Sequence, residues 1–130
     1  MKKTKYITSE TQIITSRHLH NVMFYNDNFS INDDMIIVRR HYAWEGCLFR
    51  FRWLDLYWSL LPDGVDDKTT RASMIHSALY RFRKEVYQCG VTRKMADRIF
   101  YDLMLQENFK LAKLYFIIAR SLGWIYGSWK

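Results

Sequence analysis

Ile75-His76-Ser77-Ala78-Leu79-Tyr80 and Thr92-Arg93-Lys94-Met95-Ala96-Asp97-Arg98-Ile99-Phe100 are the stretches whose reading decides the fold. Around the first, Ala72, Ile75, Leu79, Phe82 and Val86 recur at the 3.6-residue period. That spacing predicts a helix from Thr69 or Thr70, either of which can cap it, to about Tyr87. Cys89-Gly90 breaks it. Thr92 then caps a second helix reaching about Asn108, with Met95, Ala96, Ile99, Phe100, Leu103 and Met104 as its buried stripe. So short a connection predicts that the two helices lie antiparallel.

Working outward, a third helix is expected over about Phe109 to Leu122, ended by Gly123, with Trp124, Tyr126 and Trp129 in an aromatic tail. On the other side, Leu54 to Leu61 reads as a short apolar segment stopped by Pro62. Pro62-Asp63-Gly64 is turn chemistry, and an acidic loop continues through Asp66 and Asp67. Upstream the period changes to two. Gln12 to Ser16, Asn21 to Tyr25 and Met35 to Trp44 read as strands, with turns at Asn26-Asp27-Asn28 and Asn32-Asp33-Asp34. Cys47, Phe49, Phe51 and Trp53 alternate with Arg50 and Arg52, as in a half-buried strand. The expectation is one α+β domain over 1–130. A strand-rich antiparallel meander (about 12–53) packs on a three-helix half (about 54–124), followed by the tail (125–130).

Composition fits one domain with a real core. Of 130 residues 49% are hydrophobic and 17% aromatic, with five Gly and one Pro, which excludes disordered, collagen-like and linker-rich chains. The net charge of +7 suits an anionic partner. Cys47 and Cys89 lack the spacing of a zinc site or a disulfide framework. The three lysines near the N-terminus are not followed by an apolar run, so no signal peptide is expected, and the expected location is the cytoplasm or a particle assembled there. The run Leu114 to Ala119 is too short to span a bilayer.

His76 and Tyr80, four residues apart, share one helical face. Mirror counting about the connection puts Asp97 near the level of Tyr80, and His76 about one and a half turns further along, nearer Asp102. Asp97 and Asp102 point in different directions, so a His76–Asp97 contact is open at this point.

His76-Ser77-Ala78-Leu79-Tyr80, Thr92-Arg93-Lys94-Met95-Ala96-Asp97-Arg98-Ile99-Phe100 and Gly123-Trp124 resemble the phage and prophage family called domain of unknown function 1353. That family carries an H-D-x-L-Y helix, an S-R-x-x-A-D-R-x-F helix and a helix ending near Gly-Trp. The resemblance covers roughly Trp53 to Trp124. The helical pair alone is also similar to the core of secreted phospholipase A2. There a His is general base, an Asp on the antiparallel helix orients it, and calcium stabilises the oxyanion. This resemblance implies His76 as base, Asp97 as its orienting acid and Tyr80 as a supporting donor.

Two departures count against that chemistry. Ser77 stands where the phospholipase pattern has its calcium-binding Asp, and the glycine-rich calcium loop is missing, so no cofactor is expected. The phage family's T-D-x-x-S-x-P segment is Arg52-Trp53-Leu54-Asp55-Leu56-Tyr57-Trp58-Ser59 here, which keeps an Asp and loses the Thr, the Pro and the Ser spacing. The scaffold is thus expected to be kept and catalysis lost. His76 and Asp97 would then simply satisfy each other in a packed bundle.

Arg81, Arg83 and Lys84 late in the first helix, and Arg93, Lys94 and Arg98 early in the second, should gather at one end of the hairpin. The helix dipole favours cations at a C-terminus and disfavours them at an N-terminus, so the second group hints at an anionic partner. Trp124, Tyr126 and Trp129 are candidate interface anchors, or dock on the domain itself. Neither the acidic loop Asp63, Asp66 and Asp67 nor the pair His18 and His20 has a metal site's ligand pattern. The leading expectation is a phage accessory protein, virion-associated or host-interacting, that binds a protein partner. The alternatives are a calcium-independent hydrolase using His76 and Asp97, and a basic nucleic-acid-binding module, which no recognition motif supports.

Overall fold

The computed structural model describes residues 6–44, 65–122 and Trp129. The readings placed on Cys47–Trp53, Leu54–Leu61, Pro62-Asp63-Gly64, Gly123-Trp124 and Tyr126 lie outside the described residues. Within them the class is α+β, strands first and helices after.

Among the described residues, six strands form two sheets. β1 (Tyr6–Ile7) pairs antiparallel with β6 (Ala43–Trp44). The larger sheet contains β2 (Gln12–Thr15), β3 (Val22–Tyr25), β4 (Phe29–Asp33) and β5 (Met35–Val38), in the order β2-β5-β4-β3. Strands β3 to β5 make a meander, while β2 is added outside β5 with Thr15 opposite Met35. The turns fall on the expected residues. Asn26 Oδ1 accepts from the amides of Asn28 and Phe29, and Asp33 turns the chain with φ 61°. Between them lies β4, a strand that the turn-rich flanks conceal. The expected strand over Met35 to Trp44 is split in two by a loop in which His41 has φ 70°.

Period two sorts the sheet's faces. Ile14, Val22, Phe29, Ile31, Ile36 and Val38 are buried and face the helices, while Ile13, Met23 and Tyr25 face outward. Phe29 meets the Phe82 ring at 5.6 Å, and the buried residues of both halves form one core.

Four helices are described. α1 (Val65–Arg81) starts ahead of Thr69, so Asp66 and Asp67 lie in its first turn and not in a loop. Acidic residues suit a helix N-terminus. A break at Phe82 separates it from α2 (Arg83–Gln88), dividing the single helix expected to reach Tyr87. Gly90, with φ 99°, makes the turn into α3 (Arg93–Gln106). Thr92 caps α3, its Oγ1 accepting from the Met95 amide at 3.1 Å. α4 spans Ala112–Leu122, starting three residues after Phe109. None of the described helices is long and apolar enough to cross a membrane.

Candidate functional site: a buried carboxylate between two helices

Helix α1 carries His76 and Tyr80 on its inner face, and α3 turns Asp97 toward them. His76 Nε2 donates to Asp97 Oδ1 at 2.8 Å, and the Tyr80 hydroxyl donates to the same oxygen at 2.6 Å. An ionised carboxylate only accepts, so His76 carries its proton on Nε2. Mirror counting left this contact open; it assumed one unbroken helix to Tyr87, whereas the break at Phe82 alters the levels, and His76 does meet Asp97.

The other carboxylate oxygen takes cations. Arg120 Nη1 from α4 lies 3.1 Å from Oδ2, and Arg93 Nη1 lies 3.5 Å from it. Arg93 is one turn before Asp97 on α3 and lies inside, so it does not belong to the solvent-facing basic set. Its guanidinium also donates to the carbonyls of Ala119 and Arg120 in the last turn of α4, and to the carbonyl of Trp129. Final-turn carbonyls have no partner within their own helix. Arg93 therefore caps one helix from the start of another, which explains a cation where the dipole disfavours one. Arg120 is a member that the sequence reading missed. Its signal was its place in the final turn of the third expected helix.

The centre of the cluster is buried, with Arg120 reaching it from the partly exposed side. Asp97 is fully buried, His76 is 3% exposed, and the His76 ring stacks on Phe100 at 4.2 Å and packs against Tyr80 at 4.3 Å. Trp129 closes it from the tail. Its ring meets Tyr80 edge-on at 4.8 Å, and its indole N–H donates to the Val91 carbonyl at 3.1 Å. Burial opposes the charge on Asp97, but the hydrogen bonds from His76, Tyr80 and Arg120 outweigh it and hold the carboxyl below its usual range. Tyr80 is pushed up by burial first and then by the Asp97 charge, so it stays a neutral donor.

The basic candidates flank the connection between α1 and α3 in sequence. Arg81, Lys84, Lys94 and Arg98 are exposed, and Lys94 and Arg98 are one turn apart on α3. Arg81 rests over the Phe82 ring at 5.1 Å, and half-buried Arg83 donates to the Tyr80 carbonyl at 3.0 Å. His18 and His20 do not meet at a metal. His18 Nε2 contacts Asp102 Oδ2 at 2.8 Å, and Arg17 Nε joins the same oxygen at 3.2 Å, tying the β2–β3 connection to α3. His20 lies 3.8 Å from Asp33. Among the described residues, no group of three His, Cys, Asp or Glu side chains gathers for a metal.

Comparison with known proteins adds one finding. No curated protein and no solved structure matches the chain. A family model described as "Protein of unknown function (DUF1353)" matches residues 55–119, half of the sequence, and takes in α1 to α3 and most of α4 with His76, Tyr80, Arg93 and Asp97. The chain belongs to that family.

Proposed function

We propose that this protein acts by binding, as an accessory protein of a phage particle or of a phage's encounter with its host, and that His76, Tyr80 and Asp97 fasten the helices without cleaving a substrate. The observation that carries the reading is the state of Asp97. His76, Tyr80, Arg93 and Arg120 all reach its carboxylate. A general-base His needs an orienting carboxylate whose charge stabilises the imidazolium formed in the reaction. Here two guanidinium groups already share that charge, and the imidazole is stacked in the interior. The association with phages rests on the sequence resemblance.

The partner is an anionic protein surface that meets the exposed cations at the hairpin end. Exposed Lys94 and Arg98, one turn apart on α3, speed and orient association with such a surface. Lys94→Glu with Arg98→Glu reverses the stripe on α3 without touching the buried cluster. Recovery of the chain from purified particles or from a pull-down of host protein should fall with this pair and persist in His76→Gln. Recovery that ignores the charge reversal would sink the reading.

One observation favours a second reading, a calcium-independent hydrolase: the His76–Asp97 contact at 2.8 Å has the orienting geometry that a His base requires. Ester or lipid hydrolysis that persists with a chelator and disappears in His76→Ala would establish it in place of the first.

A further inference from the structure

We propose that the face shared by α3 and α4 is a docking groove for an amphipathic, acidic helix of a partner protein. The inference rests on the anionic partner proposed above and extends its contact beyond Lys94 and Arg98.

Two helical stripes build the face. Lys94, Arg98, Tyr101 and Leu105 fall at i, i+4, i+7 and i+11 along α3, and Lys113, Phe116, Ile117 and Arg120 at i, i+3, i+4 and i+7 along α4. The stripes are neighbours. Tyr101 meets the Phe116 ring at 5.0 Å, and Arg120 meets Asp97 at 3.1 Å, so the two helices run antiparallel with these levels matched. Tyr101 and Phe116 are half-buried where the helices meet, while Leu105 and Ile117 are each 49% exposed. A recessed aromatic floor with an exposed aliphatic side chain on each helix makes an apolar groove.

The charge on this face has one sign. Neither stripe contains Asp or Glu. Asp97 occupies Arg120, but Lys94, Arg98 and Lys113 are exposed and have no ion pair among the described residues. The matched levels place Lys94 and Arg98 beyond one end of the apolar side chains and Lys113 near Leu105. An occupant must therefore bring acids along with an apolar body. A second copy of the face cannot, because a two-fold contact would set these cations against one another.

Backbone chemistry selects the form of the occupant. Within α3 and α4 the N–H and C=O groups bond along their own helix, so the face offers no ladder to an extended segment. A strand laid here would bury its own amides unpaired, whereas a helix pairs them internally. From Lys94 to Leu105 the face runs about 16 Å, three turns of such a helix. Apolar residues at i, i+3, i+4 and i+7 of a partner helix fill a groove of this kind. Half-buried rings suit a ridge that enters the groove better than a flat bilayer.

The test is a displayed library of peptides of about 18 residues, long enough to hold a helix, selected against the full chain. Winners should carry apolar residues at i, i+3 or i+4, and i+7, with acids beyond one end. A synthesised winner should gain helical circular dichroism on binding. Ile117→Ser should weaken it about tenfold and Lys113→Glu severalfold at low salt, while Tyr25→Ser on the outer face of the sheet changes nothing. Should Ile117→Ser disturb α4, Lys113→Glu decides, since that side chain is exposed. No enrichment, a winner that binds without gaining helix, a winner that ignores both variants, or binding only to phosphatidylserine vesicles would each overturn the proposal. If it fails while Lys94→Glu with Arg98→Glu still lowers recovery from particles or host, the anionic partner stands and the helical groove does not.

Discussion

Replacing Asp97 by Asn removes one charge and almost no volume. Arg93, whose side chain is 10% exposed, would stay in the interior among carbonyls but without its counter-charge, while the more exposed Arg120 can turn to solvent. The amide also cannot serve both sides of the site. If its oxygen keeps His76 and Tyr80, its NH2 faces the guanidinium groups; if it flips, the NH2 faces two donors. Removing one partner of a buried ion pair costs about 3–5 kcal/mol. Unfolding entropy of about 2.1 cal/mol/K per residue, taken over this chain, converts about 4 kcal/mol into a fall in Tm of roughly 15 °C. Calorimetry and urea unfolding followed by circular dichroism would measure both quantities. Acid adds a signature. The folded carboxyl sits below its ordinary 3.8, so its contribution is complete above that value and is lost as pH falls through the lower folded value. The gap between wild type and Asp97→Asn should therefore close in strong acid. A loss below about 1 kcal/mol at neutral pH would refute the reasoning, because it would mean that Arg93 does not need the charge.

Other consequences can be checked on the same instruments. Gly90→Ala should cost about 1 kcal/mol from backbone strain alone, since φ is 99° and an added Cβ would meet nothing within 4 Å. Trp129→Ala should cost about 3 kcal/mol in urea unfolding, by opening a cavity against Tyr80 and leaving the Val91 carbonyl short of its donor. Alkaline unfolding should begin as pH rises past 10.0, where unfolded tyrosine ionises while buried Tyr80 resists. Tyr80→Phe should flatten that limb.

Local signals in the sequence located the helices well and the sheet partly. The 3.6-residue stripe and the Thr92 cap are properties of neighbouring residues, and both appear in α3 as expected. The start of α1 at Val65 was hidden because Asp66 and Asp67 serve a loop and a helix N-terminus equally well. β4 was hidden because Phe29-Ser30-Ile31 is bracketed by Asn and Asp on both sides, and pairing of β2 with β5 joins residues 20 to 26 positions apart. Spacing put His76 and Tyr80 on one face, and the resemblance, not the spacing, singled out Asp97 as their partner. The inward turn of Arg93 was legible only in part, since its position four before Asp97 puts both on one face while its capping of α4 depends on tertiary packing. The pairing of His18 with Asp102 joins a strand connection to a distant helix and left no local mark.

The central claim is that His76 belongs to the interior and serves structure. Carbethoxylation of the native chain, mapped histidine by histidine with mass spectrometry, tests it most directly. Exposed His20 and His41 should react readily, while His76, 3% exposed and stacked on Phe100, should stay unmodified until the chain unfolds. Modification of His76 at the rate of His20 would contradict the account and return the His76–Asp97 pair to catalysis.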